Sequence, residues 1–324
     1  MILIVISLTF YGSEENYSDS EQSEQKLPTQ LITNTIQSDN DKRLELEQMA
    51  LTNPLISGLI KGKLNIYVEP VPSYSSLEVS AAISDVIRSL EDTYIYEMSF
   101  ERVYSPSLAD IQINWIKDYE PHTLGEATFK SVVKVGLGAT TCHDQWQPFD
   151  ADTVKKVMWH EIGHSLGYDH SNNPNNIMYY QTAQRFEKDF DSTLTLDEGK
   201  GRTVPFCQGG KYSFNALSDD QSNGFLIYVL APGTSGQSFF DGQGKYYPSC
   251  SGSDKYYSFN NTCTVRNGAS LLIHNENELL QFGAIDIDVT IVDLSERPWP
   301  DMEWDESVFE YDEKWLSEVW SLYH

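Results

Sequence analysis

Positive charge is scarce in this sequence. Its 324 residues hold 22 Lys and Arg against 48 Asp and Glu, a formal net charge of −26. So acidic a chain offers no basic stripe to neutralise phosphates, which excludes nucleic-acid binding through a basic surface. The acid reads instead as solubility in an exposed setting. Long apolar runs are scarce too. The run from Ile2 to Phe10 is too short to cross a bilayer as a helix, and no other stretch would span one. It fits the core of a signal peptide over residues 1–12, although the usual basic residues before it are missing; a buried strand is the other reading. Cysteines are few: Cys142, Cys207, Cys250 and Cys263, none at zinc-knuckle spacing. They allow three full pairings if the chain is exported, or free buried thiols if it is not. No internal repeat period is visible.

What is present is concentrated in one stretch, His160-Glu161-Ile162-Gly163-His164-Ser165-Leu166-Gly167-Tyr168-Asp169-His170. His160 and His164 share one face of a helix, so two imidazole nitrogens can aim at one point. Gly167 ends that helix, because glycine takes a left-handed turn without a Cβ penalty, and the turn lets His170 swing back as a third ligand. Three neutral imidazoles suit Zn²⁺ and leave a fourth position open, as in catalytic zinc sites. Glu161, beside His160, is then the general base. The bland alternative is a structural zinc clip, but such sites usually hold four ligands rich in Cys, and this stretch has none.

Met178 follows in Asn175-Asn176-Ile177-Met178-Tyr179-Tyr180, and with the histidines it forms the extended zinc motif plus Met-turn. At this point the chain resembles the metzincin zinc metallopeptidases. The matrixin-like branch is nearest, because Ser171 follows His170 and the turn reads Ile-Met-Tyr. Ala109-Asp110-Ile111-Gln112-Ile113 and Leu124-Gly125-Glu126-Ala127 look like matrixin strand signatures. The resemblance covers Lys61 to Val204. It implies an α+β fold with a twisted mixed sheet, a zinc helix and a Met-turn, and a secreted endopeptidase acting on a protein or peptide substrate. It also implies the pairing Cys142–Cys207, since the family fold returns the departing chain to the same body; Cys250–Cys263 would close a short loop between neighbouring strands. Tyr180 stands where astacin-like metzincins place a tyrosine that ligates zinc and then binds the oxyanion. A pocket-lining role, as in matrixins, is the preferred reading of that residue. The propeptide cysteine of matrixins has no counterpart before Cys142, and His122 and His143 do not reproduce the spacing of their second zinc site. Calcium could bind acid-rich loops such as Ser218-Asp219-Asp220.

Read in order, residues 13–60 look like a disordered acidic linker or propeptide, with a short helix over Lys42 to Leu51. Leu64, Ile66 and Val68 predict a first strand. Ser76 predicts the cap of a helix striped by Val79, Ile83, Val86, Ile87 and Leu90. Strands are expected over 99–104, 109–115, 125–129 and 132–137, and the zinc helix from an Asp152 cap. Leu194 to Val204 resembles the last helix of the family. Residues 205–295 read as a small β-sandwich, in which Ile285, Ile287, Val289 and Ile291 alternate with Asp286, Asp288 and Thr290. Its Tyr246, Tyr247, Tyr256 and Tyr257 pack at sheet edges or form a binding face. Residues 296–324 predict an acidic amphipathic helix that docks on the chain's own surface, or else binds a partner; its lack of Lys and Arg argues against anionic lipid. The rival function is an exported binding or adhesion protein whose sandwich works beside a vestigial or structural zinc domain. An intact Glu161 counts against it.

Overall fold

A computed structural model describes residues 39–93, 98–119, 123–128, 131–180, 184–219, 224–276, 283–295, 306–308 and 313–324. The expected signal peptide, the most acidic part of the linker, His122 and Asp220 lie outside them. No helix among the described residues is long and apolar enough to cross a membrane.

Helices α1 (Asp39–Ala50) and α2 (Pro54–Lys61) come first. The second starts well because Asn53 accepts the Ile56 N–H and Pro54 fills the first turn; Gly62, at φ 66°, ends it. Leu55, Ile56 and Leu59 are fully buried, which corrects the linker expected through residue 60. The acid of residues 14–47 dominated that expectation and hid a short apolar run.

Strand β1 (Lys63–Val68) buries Leu64, Ile66 and Val68 as their alternation predicts. Helix α3 (Val79–Thr93) follows and fully buries Val79, Val86 and Leu90. Each such side chain contributes roughly 1.5–3 kcal/mol by leaving water. Next come β2 (Ser99–Val103), β3 (Ile111–Ile116), β4 (Gly125–Thr128) and β5 (Val132–Gly136). They assemble with β1 in the order β2-β1-β3-β5-β4, parallel throughout except for β4, which runs antiparallel at one edge. This is a mixed sheet, compatible with the expected fold.

A small hairpin of β6 (Gly138–Thr140) and β7 (Trp146–Pro148) leads into α4 (Ala151–Ser165). Its cap is Asp150, not Asp152: the Asp150 carboxylate accepts the Thr153 N–H at 2.8 Å and also pairs with Arg185. Asp152 sits in the first turn, where its charge still suits the positive end of the helix dipole. Helix α4 packs against α3, β4 and β5, so the zinc motif rides on the sheet's surface.

Beyond Asp189 the chain is antiparallel. Strands β8 (Phe190–Leu196), β10 (Gly210–Ser218), β12 (Ser258–Val265) and β14 (Ile285–Asp293) form one sheet, ordered β12-β10-β14-β8. Strands β9 (Gly201–Pro205), β11 (Leu226–Leu230) and β13 (Ser270–His274) form another, ordered β11-β13-β9, and the short helix α5 (Gly236–Phe240) follows β11. Their inward side chains, among them Leu194, Phe214, Ile227, Leu271 and Ile287, make a hydrophobic cluster separate from that of the first half. The helix expected over 194–204 is therefore corrected to two strands around a turn at Gly199, where φ is 65°. β-branched Thr193 and Thr195 alternate with buried Leu194 and Leu196, and that local period prevails. The disulfides are Cys142–Cys207 and Cys250–Cys263, as expected. Finally α6 (Glu313–Tyr323) returns to α1 and α2 and buries Leu316 and Val319 in the first cluster.

Candidate metal centre

Helix α4 presents His160, Glu161 and His164. It ends at Leu166, and Gly167 turns the chain at φ 92°, the left-handed conformation that the sequence demanded of a glycine there. The Tyr168 N–H then bonds back to Gly163 O at 3.1 Å, and His170 comes round to the other two rings. Ring centroids lie 4.8 Å apart for His160–His164, 5.3 Å for His160–His170 and 4.8 Å for His164–His170. One ligand atom from each lies within 4.8 Å of the others, close enough to share a metal ion.

The hydrogen bonds fix which nitrogens are free. His160 Nδ1 donates to Ile177 O and His164 Nδ1 to Tyr168 O, each at 2.7 Å. A carbonyl only accepts, so each Nδ1 carries the proton and each Nε2 keeps a bare lone pair. Those two Nε2 atoms stand 3.2 Å apart. His170 Nε2 is buried with no partner among the described residues. Facing lone pairs repel, and a buried acceptor left unpaired costs about 1–3 kcal/mol. A cation among the three nitrogens removes both penalties. The donor set therefore fits zinc, which neutral imidazole binds well.

Burial favours the neutral rings. It lowers the His160 pKa to about 4, with His170 adding to the effect and the Ile177 carbonyl opposing it. Burial also holds His164 well below its ordinary range, with smaller effects from His160 and His170, and it lowers His170 against the opposing charge of Asp169.

The Met-turn supports the rings through its main chain. Met178 is fully buried; its N–H bonds Asn176 Oδ1 at 2.8 Å and its carbonyl accepts the Ser171 N–H at 2.8 Å. One turn thus fixes His160 through Ile177 and the exit from His170 through Ser171. Tyr180 is 40% exposed and packs its ring 4.5 Å from that of Tyr179.

Glu161 is buried, and its Oε2 has no partner among the described residues. Burial, aided by the nearby Glu126 carboxylate, raises its pKa well above the usual carboxylate range; a cation at the rings would act in the opposite direction. Gly125 explains how the carboxyl fits. A Cβ there would sit 2.5 Å from Glu161 Oε1, so only glycine lets edge strand β4 approach this closely. Glu126, next along β4, pairs with Lys134 at 3.1 Å. Tyr119 is half-buried nearby, its hydroxyl oxygen buried and without a partner among the described residues, and its pKa is raised by burial and by the charges of Glu126 and Glu161. Neither Gly125 as a contact of Glu161 nor Tyr119 was legible in the sequence, because both reach the site through packing, where spacing carries no signal.

A second grouping, Cys142, His143 and Cys207, has its sulfurs consumed by the disulfide, and His143 packs on Phe190 instead. The loop proposed for calcium gains no support. Asp219 Oδ1 accepts the Asp286 N–H at 3.0 Å, and no cluster of three ligands gathers there among the described residues.

Residues 63–201 match the family model described as Matrixin. Among solved structures, the crystal structure of Aeromonas hydrophila PliG, a periplasmic lysozyme inhibitor of g-type lysozyme, covers 32% of this chain and 83% of its own. Its identity is 10% and its TM-score 0.24, a likeness too slight to carry an argument.

Proposed function

We propose that this chain, matrixin-like over residues 63–201, is an exported zinc endopeptidase. What supports this most directly is three histidines with their free nitrogens turned together and a buried, unpartnered carboxyl oxygen on the neighbouring residue, Glu161. His160, His164 and His170 would hold the ion. Zinc held this way supplies Lewis acidity, polarising a carbonyl and acidifying water. Glu161 accepts the proton of the attacking water and then passes it to the leaving amine. Its burial strengthens each of these charge interactions. A buried carboxyl oxygen with no partner has no evident structural use, which counts against an adhesion protein with a vestigial site.

Strand β4 ends the sheet order, so among the described residues no strand pairs its outer edge. An extended peptide added there would run past Gly125 and reach Glu161. Two disulfides favour an oxidising exterior. The two antiparallel sheets from Phe190 onward form a β-sandwich domain of their own, and we place the boundary near Asp189 rather than at 204. Tyr180 lines the substrate pocket.

A peptide library digested by the purified protein tests the assignment. Internal cleavage that a zinc chelator abolishes, and added zinc restores, is expected. Cleavage indifferent to the chelator would contradict it.

A further inference from the structure

The loop between His164 and His170 has a support that comes from the far end of the chain. The peptide unit joining Tyr168 to Asp169 is bonded on both sides. Its carbonyl, Tyr168 O, accepts the His164 Nδ1 proton at 2.7 Å. Its N–H, on Asp169, donates to Val308 O at 2.9 Å. Val308 closes the single turn Glu306–Val308. Asp169 immediately precedes His170, so the same peptide unit bears on two of the three ligands.

Helix α6 keeps that end of the chain in place. Leu316 and Val319 are buried in the cluster that contains Leu55 and Leu59. His324 Nε2 donates to Leu59 O at 2.8 Å, and its ring stacks on Trp320 with centroids 4.1 Å apart. The Tyr323 hydroxyl donates to Arg43 O at 3.2 Å. The turn that carries Val308 precedes this docked helix in the chain.

We propose that Val308 is a positioning residue for the metal site: its carbonyl, held by the docking of α6, fixes the Tyr168–Asp169 peptide and through it His164 and His170. A peptide plane has a C=O and an N–H on opposite edges, so locking one locks the other. Without an acceptor for the Asp169 N–H, the plane is free to rotate, and the acceptor for His164 Nδ1 rotates with it. The bonds also polarise one another, making Tyr168 O the better acceptor and His164 Nε2 the better donor to a metal. This inference rests on the zinc reading above, but it predicts something that reading does not: metal retention depends on a segment that contributes no ligand.

The test compares wild type with two variants, one carrying E306G, S307G and V308G together and one carrying L316D. The first loosens the turn and leaves α6 docked. The second releases α6. Zinc release into excess chelator is followed by stopped flow, and the His164 Nδ1–H resonance by NMR of the zinc-loaded protein. Release about tenfold faster in both variants is expected, at the low end of what outer-shell partners contribute. The Nδ1–H signal should exchange faster with solvent in both. Release within about twofold of wild type in the glycine variant, with the Nδ1–H signal unchanged, overturns the proposal. So does global unfolding of that variant, because the turn would then be a fold element and not a local support. A wild type that takes up no zinc would instead defeat the zinc reading itself.

Discussion

The two halves of this molecule bury polar groups differently. In the antiparallel half, strand β14 alternates cleanly: Ile285, Ile287, Val289 and Ile291 point into the core, and Asp286 and Asp288 face outward. Those acids are satisfied across the strand pair, by the hydroxyls of Thr195 at 2.6 Å and Thr193 at 2.5 Å. In the half that carries α4, that helix buries His160, Glu161 and Lys156 together with Met158 and Ile162. Glu161 Oε2, His170 Nε2 and Tyr119 Oη lack partners there among the described residues. Each such atom costs about 1–3 kcal/mol, so most of the deficit falls in one half; among the described residues the other half holds a single such atom, His274 Nδ1. A fold tolerates that deficit where the groups have another use.

The contrast can be broken from either side. The largest effect is expected in the apolar half. Phe214→Ala removes a fully buried ring and should cost about 3–5 kcal/mol, measured by denaturant unfolding. If the halves are independent domains, zinc affinity stays at the wild-type value; its loss together with the β-rich core would make them one unit. Next comes the covalent link. Replacing Cys142 and Cys207 by Ser opens a closure with a sequence separation of 65. Chain entropy sets the loss at roughly 4 kcal/mol, against about 3 kcal/mol for Cys250–Cys263, whose separation is 13. Thermal unfolding of both variants under oxidising conditions checks the ranking.

Gly125→Ala sharpens the contrast, because it should disturb function with little cost to the fold. Its Cβ would displace the Glu161 carboxyl, and a shift near 1 Å lowers kcat about 100-fold. Unchanged turnover would mean that the carboxyl relaxes freely and that its placement is unimportant. The smallest effect belongs to Tyr180→Phe. A ring that only lines the pocket keeps kcat within about threefold while peptide preference shifts. A drop of ~100-fold in kcat with little change in KM would instead make the hydroxyl a transition-state donor.

What could be read from the sequence divides along physical lines. The histidines were legible because a spacing of four on a helix is itself geometry, and Gly167 was legible because the turn requires a positive φ. Strands β1 and β14 were legible by alternation. Leu194 to Val204 resembles a family helix, but β-branched Thr193 and Thr195 and the glycines at 199 and 201 favour the two strands that form. Helix α2 was hidden beside an acidic stretch whose composition dominates any window. The contacts that complete the site, Gly125 on Glu161, Ile177 O on His160 and Val308 O on Asp169, arise from backbone brought together by packing. No local pattern announces them.

The central claim is that Glu161 serves the reaction and the histidines serve the metal. Glu161→Gln keeps the shape of the side chain and all three imidazoles but removes the base. Zinc content and peptide hydrolysis measured on one preparation separate the two roles. The expected result is one zinc per chain with turnover reduced at least 100-fold. Turnover above about a tenth of wild type would contradict the role of Glu161, and loss of zinc from the variant would make the residue part of the metal site instead.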